Sequence, residues 1–506
     1  MAGWVRSWRL AAAVAGAAVL LAVASWTTEP GAAASWTTVS QMTEDVVVAR
    51  GEVLWDPGGE PLSVEYRNQE YPMLVSDGAS GAIVVWLDGR DDGPGIYAQR
   101  VLSDGTAAWV TNGVSLSGHG SVWPARLVED GAGGAIVVWP DWRGGNADVY
   151  AQRVLSDGTA AWTTGGISVC AAPGGQVVVD GIASDGAGGA IVAWEDYRGG
   201  DSDVYVQRVL SDGTAAWTAD GICLTAADDY QGWAVVTSDG AGGALVAWVD
   251  NRDGQPDIYA QRVRSDGTAA WATDGVALCT AVQYQTMPVL VGDGAGGALV
   301  VWQDRRAGEY NIDLYAQRVL SDGTVAWATD GVALTQAGGY QWFAAIASDG
   351  AEGALVAWQD ERVSASDSLI YAQRVLSDGT VAWATDGVRV STEGRAELAP
   401  DILADGAGGA WVVWRSINIY AQRLRPDGTA RWTGTLLVCD VNEGAGQHHP
   451  RLVSDGAGGA LVAWEDNRRW YHGNNYDIYA QRMGEVSYRT YFPVFLQDWA
   501  VELGDG

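Results

Sequence analysis

One unit recurs eight times between residues 51 and 482, and this repetition constrains the fold more than any other feature of the chain. A typical copy begins at Ser238 and reads SDGAGGALVAWVDNRDGQPDIYAQRVRSDGTAAWATDGVAL. An anchor tryptophan marks each copy, at positions 86, 139, 194, 248, 302, 358, 414 and 464, so the repeat is 50 to 56 residues long. That is the length of one four-stranded propeller blade. SDG-AGG reads as a glycine hairpin turn, ALVAW as a second strand, IYAQRV as a third, and SDGT as another tight turn before TAAW opens a fourth. The ALVAW run has no inward–outward alternation, so both of its faces are expected to be covered, as in blades stacked around a ring. A solenoid fits less well, because no capping unit is visible.

The two ends of the array complement each other. The last copy stops after Tyr479-Ala480-Gln481-Arg482 and lacks its fourth strand. The segment Gly51 to Ser63, GEVLWDPGGEPLS, aligns with the fourth-strand segment of the other copies. The reading is an all-β, eight-bladed propeller with four-stranded blades, closed by an N-terminal strand that completes the last blade.

A second tryptophan series, at 55, 109, 162, 217, 271, 327, 383 and 432, follows the SDGT turns. The two series account for sixteen of the chain's 27 tryptophans as blade packing. In this SDGTxAW logic the chain resembles the tryptophan-docked eight-bladed propellers of the quinoprotein and outer-membrane assembly scaffold type. It also resembles secreted bacterial proteins built from DIYAQRV repeats. Neither resemblance carries a functional residue onto this sequence.

The chain ends fall outside the repeat. Arg6 and Arg9 precede an apolar run from Leu10 to Ala24, with small-residue cleavage patterns at Ala22-Val23-Ala24 and Ala32-Ala33-Ala34. Residues 1–34 read as a signal peptide, 35–50 as a linker, 51–484 as the propeller and 485–506 as a tail. The apolar run is short for a membrane span, and no later stretch is long enough to be one. A secreted or cell-surface location follows as an expectation.

The net charge of −32 repels phosphate backbones, so nucleic acid is not an expected partner. The four cysteines (170, 223, 279 and 439) fall in different repeats without a CxxC pair, which speaks against zinc and for unpaired thiols. No nucleophile elbow, HExxH or phosphate loop occurs, and the SDG turns offer too few oxygens for a calcium loop. No cofactor is expected, and the oligomeric state is left open.

Seven repeats carry Asp and Arg two and four residues after the anchor tryptophan, as in Trp86, Asp88, Arg90 and Trp248, Asp250. Every third strand adds a Gln-Arg pair such as Gln261-Arg262, upstream of Trp271. These are read as structural, with Asp–Arg pairing between adjacent strands expected to neutralise the buried charges. Arg423 of the seventh repeat, which lacks the Asp, is left to find another partner.

Loop lengths separate the two faces of the ring. The turn Asp to the first tryptophan is 9 residues in all eight copies, whereas the first tryptophan to the third-strand tyrosine runs 11, 11, 11, 11, 13, 13, 6 and 15. Function rides on variable loops held by a rigid scaffold, so any ligand is expected on the variable-loop face near blades seven and eight. Trp470, Tyr471 and His472 of the longest loop, His448 and His449 leading into blade eight, and Tyr310, Tyr340 and Trp342 are the candidate contacts. The reading is a non-catalytic extracellular binding or scaffold module, with a glycan or peptide ligand on the variable-loop face. The alternative is a carbohydrate-active hydrolase or lyase, which a single acid pair at the channel with no counterpart in other blades would favour.

Overall fold

A computed structural model describes residues 45–491 except 91–92, 119, 121, 178–180, 365, 393–396, 442–445 and 469–474. Cα packing separates residues 49–486 from a second unit made of 1–48 and 487–506, of which only the strand ends at 45–48 and 487–491 are described. The signal-peptide segment and most of the tail lie outside the described residues. No described helix is long and apolar enough to cross a membrane.

Residues 49–486 form an all-β propeller of eight antiparallel blades. Blade four shows the plan: an inner strand Gln231–Ser238, then Ala244–Asp250, then Asp257–Val263, then an outer strand Val276–Cys279. The second strand is buried along its whole length because each blade lies between two others. The apolar core is accordingly divided into eight clusters, each shared by two neighbouring blades.

The anchor tryptophan of each second strand is fully buried. In seven blades its indole N–H donates to the Asp two residues on, at 2.7–3.0 Å. That carboxylate also takes the Arg of the same Asp-x-Arg motif, and the guanidinium lies 3.7–4.1 Å over the third-strand tyrosine ring. The third-strand Arg is served separately, by the Asp of the SDG turn. All eight of these pairs are present at 2.8–3.0 Å, Arg262–Asp239 among them. The expected pairing between adjacent strands is thus replaced by two local systems. The turn aspartate sits at the end of the hairpin where the third-strand Arg emerges, and the Asp-x-Arg motif closes on itself within two residues. Arg423 therefore keeps the partner common to every blade, Asp405.

The second tryptophan does not open the fourth strand. Trp271 lies in a turn between an isolated bridge at Ala269 and the outer strand that starts at Val276. Its position is fixed by docking. A Cβ on Gly323 of the next blade would come within 2.8 Å of the indole, so a flat ring covers a bare backbone at that turn. The indole N–H reaches Ser321 O at 3.2 Å, and Gln261 Oε1 holds the Trp271 backbone N–H at 3.0 Å.

The same docking closes the ring. Glu60–Ser63 pairs antiparallel with the last third strand, Glu60 opposite Ala480, and completes blade eight. Leu62 enters the cluster shared by blades eight and one, and Trp55 donates to Ser103 O at 3.1 Å. Gly51 takes the place of the turn glycine beneath Trp432.

Candidate functional site

The inner strands of neighbouring blades pack against one another around the axis. In six blades the inner strand opens on the variable-loop face with a buried polar residue, Gln69, Gln231, Gln285, Gln341, Glu397 or Gln447, and then loses register. The residue two positions after it is the bulge, and its backbone is left-handed: Tyr71 (φ 56°), Trp233 (55°), Met287 (51°), Phe343 (49°), Ala399 (52°) and His449 (49°). Side chains with a Cβ rarely adopt this region, and bulky ones do so at a cost of about 1–3 kcal/mol. Tyr71, Trp233 and Phe343 are nonetheless 43%, 39% and 52% exposed at this rim.

Two of these bulges are locked by a glutamate from the preceding blade. Glu465 sits between the anchor tryptophan and the Asp of blade eight, and it accepts the Tyr71 backbone N–H at 2.5 Å. Glu195, its counterpart in blade three, accepts the Trp233 N–H at 2.6 Å and the Tyr197 hydroxyl at 3.1 Å. Other blades hold Leu87, Pro140, Val249, Gln303, Gln359 or Arg415 at this register.

The rim from blade seven to blade one departs furthest from the repeat. Glu465 Oε1 also meets His449 Nδ1 at 2.8 Å, and the His449 ring lies 5.2 Å from that of Tyr71. His448 Nδ1 faces the Arg415 guanidinium, and its Nε2 lies 3.4 Å from the Tyr476 hydroxyl. A guanidinium only donates, so His448 Nδ1 is the acceptor and Nε2 carries the proton. Burial and the Arg415 charge push the His448 imidazole below its ordinary range. Burial, reinforced by Glu465, raises the Glu70 carboxyl, and burial with the same carboxylates raises the Tyr71 and Tyr476 phenols. Among the described residues Arg415 has no ion pair, and burial lowers its guanidinium.

A groove of about 370 Å³ opens beside this cluster, lined by Arg67, Asn68, Glu70, Gly93, Pro94 and Asn475 among others. It lies where blades eight and one meet. Blade seven's shortened connection is a tight turn in which Ser416 N–H meets Asn418 O.

The sequence candidates separate accordingly. His448 and His449 belong to the cluster. Tyr340 and Trp342 form a tilted pair 4.9 Å apart, with Phe343 stacked 6.1 Å from Trp342 at the rim of blade six. Tyr310 is exposed on its loop. Trp470, Tyr471 and His472 lie outside the described residues. Glu70, Tyr71, Glu465 and the Trp233 lock were not singled out by sequence. Their signal was the register of the bulge, two residues after the buried Gln, which only an aligned inner strand reveals.

No protein-family model and no curated protein matches this chain. Among solved structures it is similar to a puromycin hydrolase, at 16% identity and a TM-score of 0.46, covering 82% of this chain and 62% of that one. It is also similar to the polysaccharide lyase Uly1, at 8% identity and a TM-score of 0.43, covering 83% and 99%. An endo-arabinase from Bacteroides thetaiotaomicron follows at 13% identity and a TM-score of 0.30, covering 55% and 99%. The chain thus spans less than two thirds of the puromycin hydrolase, and the likeness extends to the propeller scaffold alone.

Proposed function

We propose that this chain is an exported glycan-binding propeller, with its ligand lying across the variable-loop rim of the ring. The observation that carries the reading is the set of left-handed bulges. Backbone strain is spent at one register to hold aromatic rings outward, where an apolar side chain would otherwise turn into the core. Flat rings with polar edges are the surfaces on which sugar faces stack. Platforms at Tyr71, Trp233 and Phe343, on blades one, four and six, suit a chain of sugars more than a single residue. Trp470, Tyr471 and His472, outside the described residues, are proposed as further ligand contacts.

Parallel glycan and peptide arrays test this. Glycans are expected to bind. Trp233→Ala and Phe343→Ala are each expected to cost about 1 kcal/mol, roughly fivefold in affinity. Retention only on peptides, or full affinity in the double variant, overturns the reading.

A further inference from the structure

We propose that the cluster at blades seven, eight and one is a catalytic centre that cleaves uronate-containing glycans by β-elimination, with His449 as base, Arg415 as the carboxylate partner and Tyr476 as acid. This rests on the rim being a glycan surface and adds a reaction to it.

The roles follow from the hydrogen bonds. Glu465 holds His449 through Nδ1, which leaves Nε2 as the free, basic nitrogen of a ring that is 42% exposed. An oriented imidazole with no serine or cysteine beside it in the described cluster is suited to take a proton from carbon. Removing the proton next to a carboxylate is feasible only if the charge growing on that carboxylate is neutralised. Arg415 is the half-buried cation of the cluster: its hydrogen-bond neighbour is His448, and Glu465 acts on it only at longer range. Sixteen other arginines of the described residues are in ion pairs. With its Nε2–H, His448 donates toward the Tyr476 oxygen, so the phenolic proton points away from His448 and is free to be given. Burial and the nearby Glu465 and Glu70 keep that phenol protonated. The two carboxylates facing the site have their own partners: Glu465 is tied to His449 and the Tyr71 N–H, and Glu70 accepts from Asn68 Nδ2 at 2.8 Å.

In the step itself His449 Nε2 takes the proton on C5 of the uronate. The C–H electron pair becomes the C4–C5 double bond as the C4–O bond breaks. The departing oxygen takes the Tyr476 proton. Water then receives the His449 proton and returns one to Tyr476, so no co-reactant is needed. Glu465 is a positioning residue.

The test incubates the full chain with polygalacturonate, alginate and glucuronan, and with neutral β-glucan as control. Ultraviolet absorbance reports unsaturated ends and a reducing-end assay reports total cleavage. Absorbance growing in step with chain breaks on at least one uronate polymer is the expected result. His449→Asn, which tolerates left-handed backbone, is expected to lower the rate by about 10²–10⁴-fold with an unchanged circular dichroism spectrum. Arg415→Gln is expected to raise KM and lower kcat together. Glu465→Gln is expected to lower kcat while leaving KM unchanged, because the His449 ring loses the carboxylate that orients it. Reducing ends without absorbance overturn the proposal in favour of hydrolysis. Binding without any cleavage overturns it and leaves the glycan surface standing, whereas loss of glycan binding as well removes both.

Discussion

At the scale of single residues the structure is held by charges that the fold has made local. Asp250 accepts the buried Trp248 indole N–H at 2.9 Å and pairs with Arg252 at 2.5 Å, so one carboxylate serves both groups. Blade seven is a natural comparison. Ser416 stands where the Asp would be, and the Trp414 indole nitrogen is buried without a partner among the described residues. Asp250→Ala is expected to destabilise the protein by about 3 kcal/mol, read as a lower urea midpoint with unchanged slope. A loss under about 1 kcal/mol would mean the motif is decorative. Asp257, directly opposite Asp250 in the sheet, behaves in the contrary way. Burial, then Asp253 and Asp250, push its carboxyl up to about 6. A carboxyl raised in the folded state above its unfolded value of about 3.9 binds its proton more tightly when folded. Its stabilising contribution is complete below pH of about 4 and is lost as pH rises through about 6. Asp257→Asn is therefore expected to stabilise the protein at pH 7 by about 1–2 kcal/mol after solvent screening, and to make no difference near pH 4. Equal effects at both pH values would show that the shift is absent.

At the scale of elements, the bulge at the start of the inner strand in six blades is the feature that turns a structural repeat into a varied surface. Four of the six left-handed residues precede proline, in Tyr71-Pro72, Met287-Pro288, Ala399-Pro400 and His449-Pro450. Proline brings no N–H to the ladder, which suits a position where pairing is interrupted. Ala399 carries the strain without an aromatic ring, so it isolates the backbone term. Ala399→Gly is expected to raise stability by up to about 1 kcal/mol in urea unfolding, since glycine enters the left-handed region freely. A destabilised variant would show that the bulge is unstrained. These elements also mark where the sequence was legible. Strands two and three were readable because ALVAW and IYAQRV recur almost unchanged, and the closing strand because the last copy visibly lacks one. Inner strands were not, because beyond an opening Gln and, in four blades, a proline after the bulge they share no recurring sequence. The site was half legible for the same reason. His448, His449 and the loss of Asp-x-Arg in blade seven stood out as departures from the repeat. Glu465 looked like one variable residue among eight until its bond to the next blade's backbone was seen. The fourth strand was placed too early because TAAW has β-propensity, but the tryptophan is needed for docking on the neighbouring turn.

At the scale of the whole ring, each blade–blade interface repeats the same contacts, so the eighth interface decides whether the other seven act together. Two features of the N-terminal segment make it. Leu62 joins the core cluster of blades eight and one, and Trp55 docks near Gly105 and donates to Ser103 O, while Gly51, beneath Trp432 of blade seven, serves the interface before it. The paired strand Glu60–Ser63 also covers what would otherwise be an open sheet edge beside Ile478–Ala480. Deleting residues 51–63 removes a buried Leu and a docked Trp, together worth about 5 kcal/mol of apolar burial. At about 2 °C per kcal/mol for a large unit, the melting temperature is expected to fall by roughly 10 °C. Trp271→Ala serves as the control, because it empties one equivalent interface while the ring stays closed. Its loss is expected to be about half as large. The deleted segment, supplied as a peptide, is expected to restore part of the lost stability by re-adding the strand, as in other cases of β-augmentation. If the deletion costs no more than Trp271→Ala and the peptide has no effect, the blades are stable without closure. The N-terminal strand would then be an ornament on an open stack.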